Sequence, residues 1–275
     1  MKLTVVFICM NVTIRDENLY MECFIMSGNK TNVTKDKLWI SALGILSAIC
    51  LVLVFLITSI EAVVYWTPGY FEAEYTKYQV LNHLPSMTMT DLLTVTDEMM
   101  AYLRGNREDL HVFTTIGGQY MEFFNAREIA HMEDVQGLFI GGLWIRRIGL
   151  AVAAAYAAIL AIWSKHDSER KQLLKTVVPG SLCVGTGLFF AAALFIAVTV
   201  ASDFSKYFIV FHHIFFDNDL WILNPATDLL INIVPEPFFM DTALRIGITF
   251  GVMIIVFLGI CFCLWRRGTR SKTTN

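Results

Sequence analysis

Four long apolar stretches dominate this sequence. Each can cross the hydrocarbon core of a bilayer, which takes about 20 residues in helical form. They run over 38–60, 138–163, 178–201 and 242–265. Backbone N–H and C=O groups find no partners in lipid, so each stretch is expected to be a helix that satisfies its own backbone. The chain is 56% hydrophobic and 16% charged, whereas a soluble domain carries about a quarter charged residues. Trp39, Trp144, Trp163 and Trp265 stand near the stretch ends, where amphipathic rings favour the lipid–water boundary. A net charge of −3 with scattered basic residues excludes a broad nucleic-acid-binding face. The predicted fold is therefore an all-α polytopic membrane protein: four transmembrane helices with a helical extracytoplasmic cap built from two outward loops.

Lysine and arginine in the connections set the expected orientation. Segment 164–177 holds Lys165, Arg170, Lys171 and Lys175, and the tail 266–275 holds Arg266, Arg267, Arg270 and Lys272. Segment 1–37 holds Arg15, Lys30, Lys35 and Lys37, so all three are assigned to the cytoplasm. The loops 61–137 and 202–241 are acidic and face outward. The run from Leu3 to Met10 after Lys2 is too short for a signal peptide and lacks a small-residue cleavage pattern. Asn11, Asn29 and Asn32 head N-x-[ST] sequons on the cytoplasmic side, so we read them as chance; Met21 or Met26 is an alternative start. Cys50, Cys183, Cys261 and Cys263 lie in apolar runs and Cys9 and Cys23 precede the first, so no disulfide framework is expected.

The outward loops carry the chemistry. In the first, Leu92, Val95, Met99 and Leu103 fall at helical spacing over 91–103, with Gly105 as the stop. A second helix is expected over 118–135, running into the second span. On it, Arg127, His131 and Asp134 share a face, and His131 has Glu128 one turn before and Asp134 one turn after. The second loop carries Phe211-His212-His213-Ile214-Phe215-Phe216, then Asn218, Trp221 and Asp228, with Pro225, Pro235 and Pro237 breaking long helices. Such a segment is expected to lie at the interface as short helices or a dipping loop.

Two histidine-bearing segments beside span ends on one side point to proton transfer near neutral pH. His131, Asp134, His212 and His213 also offer a possible zinc set, but there is no H-E-x-x-H and no outward cysteine, so no metal is expected. No G-x-S-x-G occurs, which argues against a serine hydrolase. Arg146 and Arg147 fall two to three turns into the second stretch. They either snorkel to the headgroups or hold an anionic or carbonyl group of a lipid substrate. Otherwise the spans are nearly free of charge, which disfavours the alternative of a small transporter; a non-catalytic lipid- or partner-binding scaffold is a third reading, which would tolerate changes at the histidines.

Asn125-Ala-Arg-Glu-Ile-Ala-His131-Met-Glu-Asp134-Val135 resembles the [RE]-x-x-H-M-x-D-V region of the lipoprotein intramolecular transacylases, called Lit. Phe211 to Phe216, with Asn218, Trp221, Pro225, Asp228, Pro235 and Phe238-Phe239, resembles that family's second extracytoplasmic motif. The match covers roughly 38–265. The resemblance implies a cofactor-free acyltransferase of Gram-positive bacteria acting on diacylated lipoproteins in the membrane. It moves the sn-2 acyl chain of the S-diacylglyceryl group to the α-amine of the N-terminal cysteine, giving the lyso-form. The family's two catalytic histidines correspond to His131 and to one of His212 and His213, with His212 preferred because it follows Phe211. Asp134 or Glu128 then orients His131, and Arg127, Asn218 or Trp221 donates to the oxyanion, with Arg147 as a further substrate contact.

Overall fold

The computed structural model describes residues 17–84 and 86–270. Four helices are long and apolar enough to cross a membrane. We label them α1 (Glu17–Val64), α4 (Ala126–Ser164), α5 (Ser168–Ser202) and α8 (Glu236–Arg270). Shorter helices α2 (Tyr70–Lys77), α3 (Met89–Leu103), α6 (Phe204–Phe215) and α7 (Leu230–Ile233) form the cap, with a hairpin of β1 (Phe113–Ile116) and β2 (Gln119–Glu122). The run Leu3–Met10, Asn11, Arg15 and Lys272 lie outside the described residues.

Helix α1 is the hub: α4, α5 and α8 all pack on it. Small residues permit the close approach. A Cβ on Gly149 of α4 would stand 2.8 Å from Val54 Cγ2, and one on Gly185 of α5 would stand 2.7 Å from Ala48 Cβ. Between helices in lipid, where no hydrophobic force drives association, such contact supplies the dispersion energy. Val52, Phe250 and Ile254 fill the seam between α1 and α8.

A second core lies in the cap. Thr88 and Asp91 form a capping box that starts α3, and Gly105 at φ 74° ends it in the left-handed region that suits glycine. The apolar face of α3 (Leu92, Val95, Met99, Leu103) packs with Tyr75, Phe124 and Phe238. At the seam between cap and bundle, the buried carboxylate of Glu61 on α1 accepts from Arg104 at 2.8 Å and from Arg146 of α4. Arg146 therefore reaches upward out of the apolar stretch and joins α1, α3 and α4 in one charged knot. A buried carboxylate is tolerable only with such partners.

Two sequence expectations are corrected. Residues 118–125 are not helical: Gly117 and Gly118 have positive φ and turn the hairpin, whose register pairs Phe113 with Glu122. The helix starts at Ala126 and continues unbroken into the apolar stretch. The second correction concerns Arg147, an exposed side chain whose guanidinium lies over Trp144 at 5.1 Å. Sixteen residues of α4 separate it from His131, about 24 Å along the axis. It stands apart from the histidines.

Substituting Gly185→Leu should force α5 off α1. We expect a loss of about 1–3 kcal/mol, the usual cost of overpacking, read as a lower Tm of the purified protein in detergent.

Candidate active site

The site is assembled by the start of α4 and the loop that follows α5. Asn125 caps α4: its Oδ1 accepts from the N–H groups of Arg127 and Glu128 at 2.9 and 3.0 Å. The Glu128 Oε2 accepts from the Asn125 N–H at 2.7 Å, closing a capping box. Its other oxygen, Oε1, accepts from the N–H of Leu230 at 2.5 Å, across to the second loop. Glu128 is 0% exposed. It serves as a clamp on backbone donors rather than as the group that orients His131.

Asp228 continues this clamp. It accepts from Asn125 Nδ2 at 2.9 Å, from Thr227 Oγ1 at 3.0 Å and from the Asn224 N–H at 2.6 Å. Burial disfavours its charge, but these donors and the nearby Arg127 outweigh burial and hold the carboxyl below its ordinary range. The connection is tied twice more. Arg127 donates to the Asp219 carbonyl, and Asn218 Nδ2 donates to Asp134 Oδ2 at 2.8 Å.

These ties bring two imidazoles together. The ring centroids of His131 and His212 are 6.2 Å apart with the planes inclined at 35°. Both side chains are buried, each 7% exposed, whereas the adjacent His213 is exposed. The difference follows from α6, an amphipathic helix on which consecutive residues point about 100° apart. Phe216 packs against the His131 ring at 5.4 Å and the His212 ring at 5.6 Å. Trp221 stacks on His212 at 4.7 Å and meets His213 edge-on at 5.2 Å.

The hydrogen bonds differ between the two rings. Nδ1 of His212 lies 2.7 Å from the carbonyl of Phe208. That carbonyl only accepts, so Nδ1 carries the proton and Nε2 keeps its lone pair. His131 Nδ1 is buried without a partner, and so is the indole Nε1 of Trp221. His131 stands on the part of α4 that precedes the apolar stretch. Burial chiefly, and the second ring beside it, push its pKa down to about 4 against the opposing charge of Asp134. Burial also lowers His212, opposed by the Phe208 carbonyl and aided by His213. The pair rests as neutral imidazoles and resists holding two protons at once.

Among the described residues, no group of three or more His, Cys, Asp or Glu is placed to hold a metal ion. Asp134, one member of the zinc set considered from the sequence, bonds to Asn218 instead. Sequence reasoning passed over Asn125 as a structural residue, although its N-x-x-E spacing to Glu128 is a capping signal. It had no means of finding the Phe208 carbonyl.

The neutral resting state is open to measurement. At pH 6 a free histidine of pKa 6.5 is about three-quarters protonated, but ¹⁵N NMR of the imidazoles should find His131 uncharged and His212 less protonated than a free histidine. Resonances of charged rings at both positions would contradict the burial.

The profile of one family, described as lipoprotein intramolecular transacylase Lit, matches residues 45–239. No match is found among curated proteins. The fold is similar to the in meso structure of the membrane-integral lipoprotein intramolecular transacylase Lit from Bacillus cereus. The TM-score is 0.63 at 20% identity, covering 88% of this chain and 100% of that one. A variant of that protein with one histidine replaced by arginine gives a TM-score of 0.62 at 20% identity, covering 90% of this chain and 98% of that one. At this identity the solved structures speak to the fold, while the sequence profile spans most of the chain, its cap and both histidine segments. The chain belongs to the lipoprotein intramolecular transacylase Lit family of membrane-integral acyltransferases.

Proposed function

We propose that this protein moves the sn-2 acyl chain of an S-diacylglyceryl lipoprotein onto the α-amine of its N-terminal cysteine, using His131 and His212 as a shared proton carrier. The observation that carries this reading is the buried pair itself, two rings 6.2 Å apart supplied by separate loops. The amine nitrogen attacks the sn-2 ester carbonyl, so a C–N bond forms and the C–O bond to glycerol breaks. One proton leaves nitrogen and one must reach the glyceryl oxygen. Nε2 of His212 takes the first, because its Nδ1–H is engaged by Phe208. That proton moves on to His131, which gives it to the departing glyceryl oxygen, so a single proton is carried and both rings end neutral. Nucleophile and electrophile belong to one substrate molecule, so the protein has only to hold a folded conformation.

The tetrahedral intermediate carries an oxyanion that needs a donor. Of the three candidates, Arg127 donates to Asp219 and Asn218 donates to Asp134. The Trp221 indole N–H is buried, fixed against His212 by stacking, and has no acceptor. We assign the oxyanion to Trp221. Phe216, packed on both imidazoles, helps exclude water and so favours aminolysis over hydrolysis. The basic segments 164–177 and 266–275 support an orientation with both termini in the cytoplasm and the histidines at the outer leaflet.

His131→Asn and His212→Asn should each lower lyso-form production about 10²–10⁴-fold, whereas the exposed His213→Asn should leave it nearly unchanged. Mass spectrometry of lipoprotein N-terminal peptides reads the outcome, and full activity in both buried-site variants defeats the reading. Trp221→Phe keeps a ring on His212 but loses the N–H. It should lower the rate about 10²–10³-fold with the apparent KM unchanged.

A further inference from the structure

At the end of the bundle away from the cap, only a short turn joins α4 and α5. Each packs on α1, and between them lies a groove with a cavity of about 760 Å³. Its α4 wall carries a row of small side chains, Ala153, Ala157 and Ala161, spaced one turn apart and flanked by Tyr156 and Leu160. Leu174, Val178 and Leu182 of α5 face them at the same spacing, and Ser47 and Leu51 of α1 make the floor. Eight helical steps on each wall, over 153–161 and 174–182, give a trough about 12 Å long. Alanine is too short to fill it. In water such an apolar trough would cost stability; in a membrane it opens to hydrocarbon and admits a chain.

Its mouth is charged. Gly268 of α8 sits against the backbone of Lys175, so closely that a Cβ there would collide with the Lys175 carbonyl. This contact brings Lys175 and Arg267 to the same rim of the cavity. Both are exposed, and among the described residues neither has an ion-pair or hydrogen-bond partner for its side chain. The surrounding segments 165–175 and 266–270 carry seven basic residues against Asp167 and Glu169. Asp167 is engaged by Arg170.

We propose that this groove binds one anionic glycerophospholipid, with an acyl chain along the alanine row and its phosphate between Lys175 and Arg267. A neutral zwitterionic lipid brings its own cation to the same rim and meets repulsion there, so charge complementarity selects the anionic class. The bound chain fills the gap between α4 and α5 and fastens the two helices to each other. This site is separate from the histidine site, across the bundle from it, and does not depend on the acyl-transfer reading.

The test uses the full-length protein in detergent, with native mass spectrometry and thermal unfolding as readouts. Phosphatidylglycerol should be retained and should raise Tm, with an affinity about thirtyfold above phosphatidylcholine of the same chains, as two surface charges allow. The double substitution Lys175→Gln with Arg267→Gln should abolish that preference. Ala157→Phe should abolish retention of either lipid by filling the trough. Both variants should elute from gel filtration as the unaltered protein does, with the same helical circular dichroism, which shows that they fold. Equal retention of the two lipids by the unaltered protein would overturn the proposal. So would a preference that survives the double substitution, or the same stabilisation by inorganic phosphate alone.

Discussion

The site depends on the carboxylate of Glu128. It is buried, and its two oxygens hold backbone N–H groups from opposite loops, Asn125 at the start of α4 and Leu230 beyond α6. A buried carboxylate satisfied by oriented amides is held firmly, because losing a donor leaves a charge in a low-dielectric setting. Asp228 repeats the arrangement one step further, on Asn125 and Asn224. The Asn218–Asp134 and Arg127–Asp219 bonds lie on the same seam. Remove the clamp and the second loop has no fixed height over α4, so His212 has no fixed distance from His131.

The cap solves a problem that the membrane poses. Polar groups cannot be spent freely inside hydrocarbon, so the buried histidines and their polar ties sit beyond the apolar stretches, on helix starts and short amphipathic pieces. The bundle below contributes rigidity through the close contacts of Gly149 and Gly185 with α1. The Glu61–Arg146–Arg104 knot then links that bundle to the cap. Arg146, an oddity in the second apolar stretch, is explained by this partner.

Much of the architecture was legible because its signals are local. A run of apolar residues reports a span without reference to any other part of the chain, and the spacing of Leu92, Val95, Met99 and Leu103 reports α3. The hairpin was missed because β1 and β2 are four residues each and lie beside a helical pattern. Glu128 was misjudged for a different reason. Its position one turn before His131 suggested a partner for that ring, and only the placement of Leu230, far along the chain, claimed the carboxylate instead.

The sequence alone determined that the chain crosses a membrane, that its polar groups gather in two loops, and that each of those loops carries histidine beside a span end. Hydropathy and residue type are properties of short segments, and they survive any particular packing. Which histidine of the adjacent pair turns inward, and that the indole N–H of Trp221 is left without an acceptor, were decided by the tertiary structure. Both depend on side-chain directions set by contacts between segments some 80 residues apart, and such contacts leave no periodic trace in the sequence.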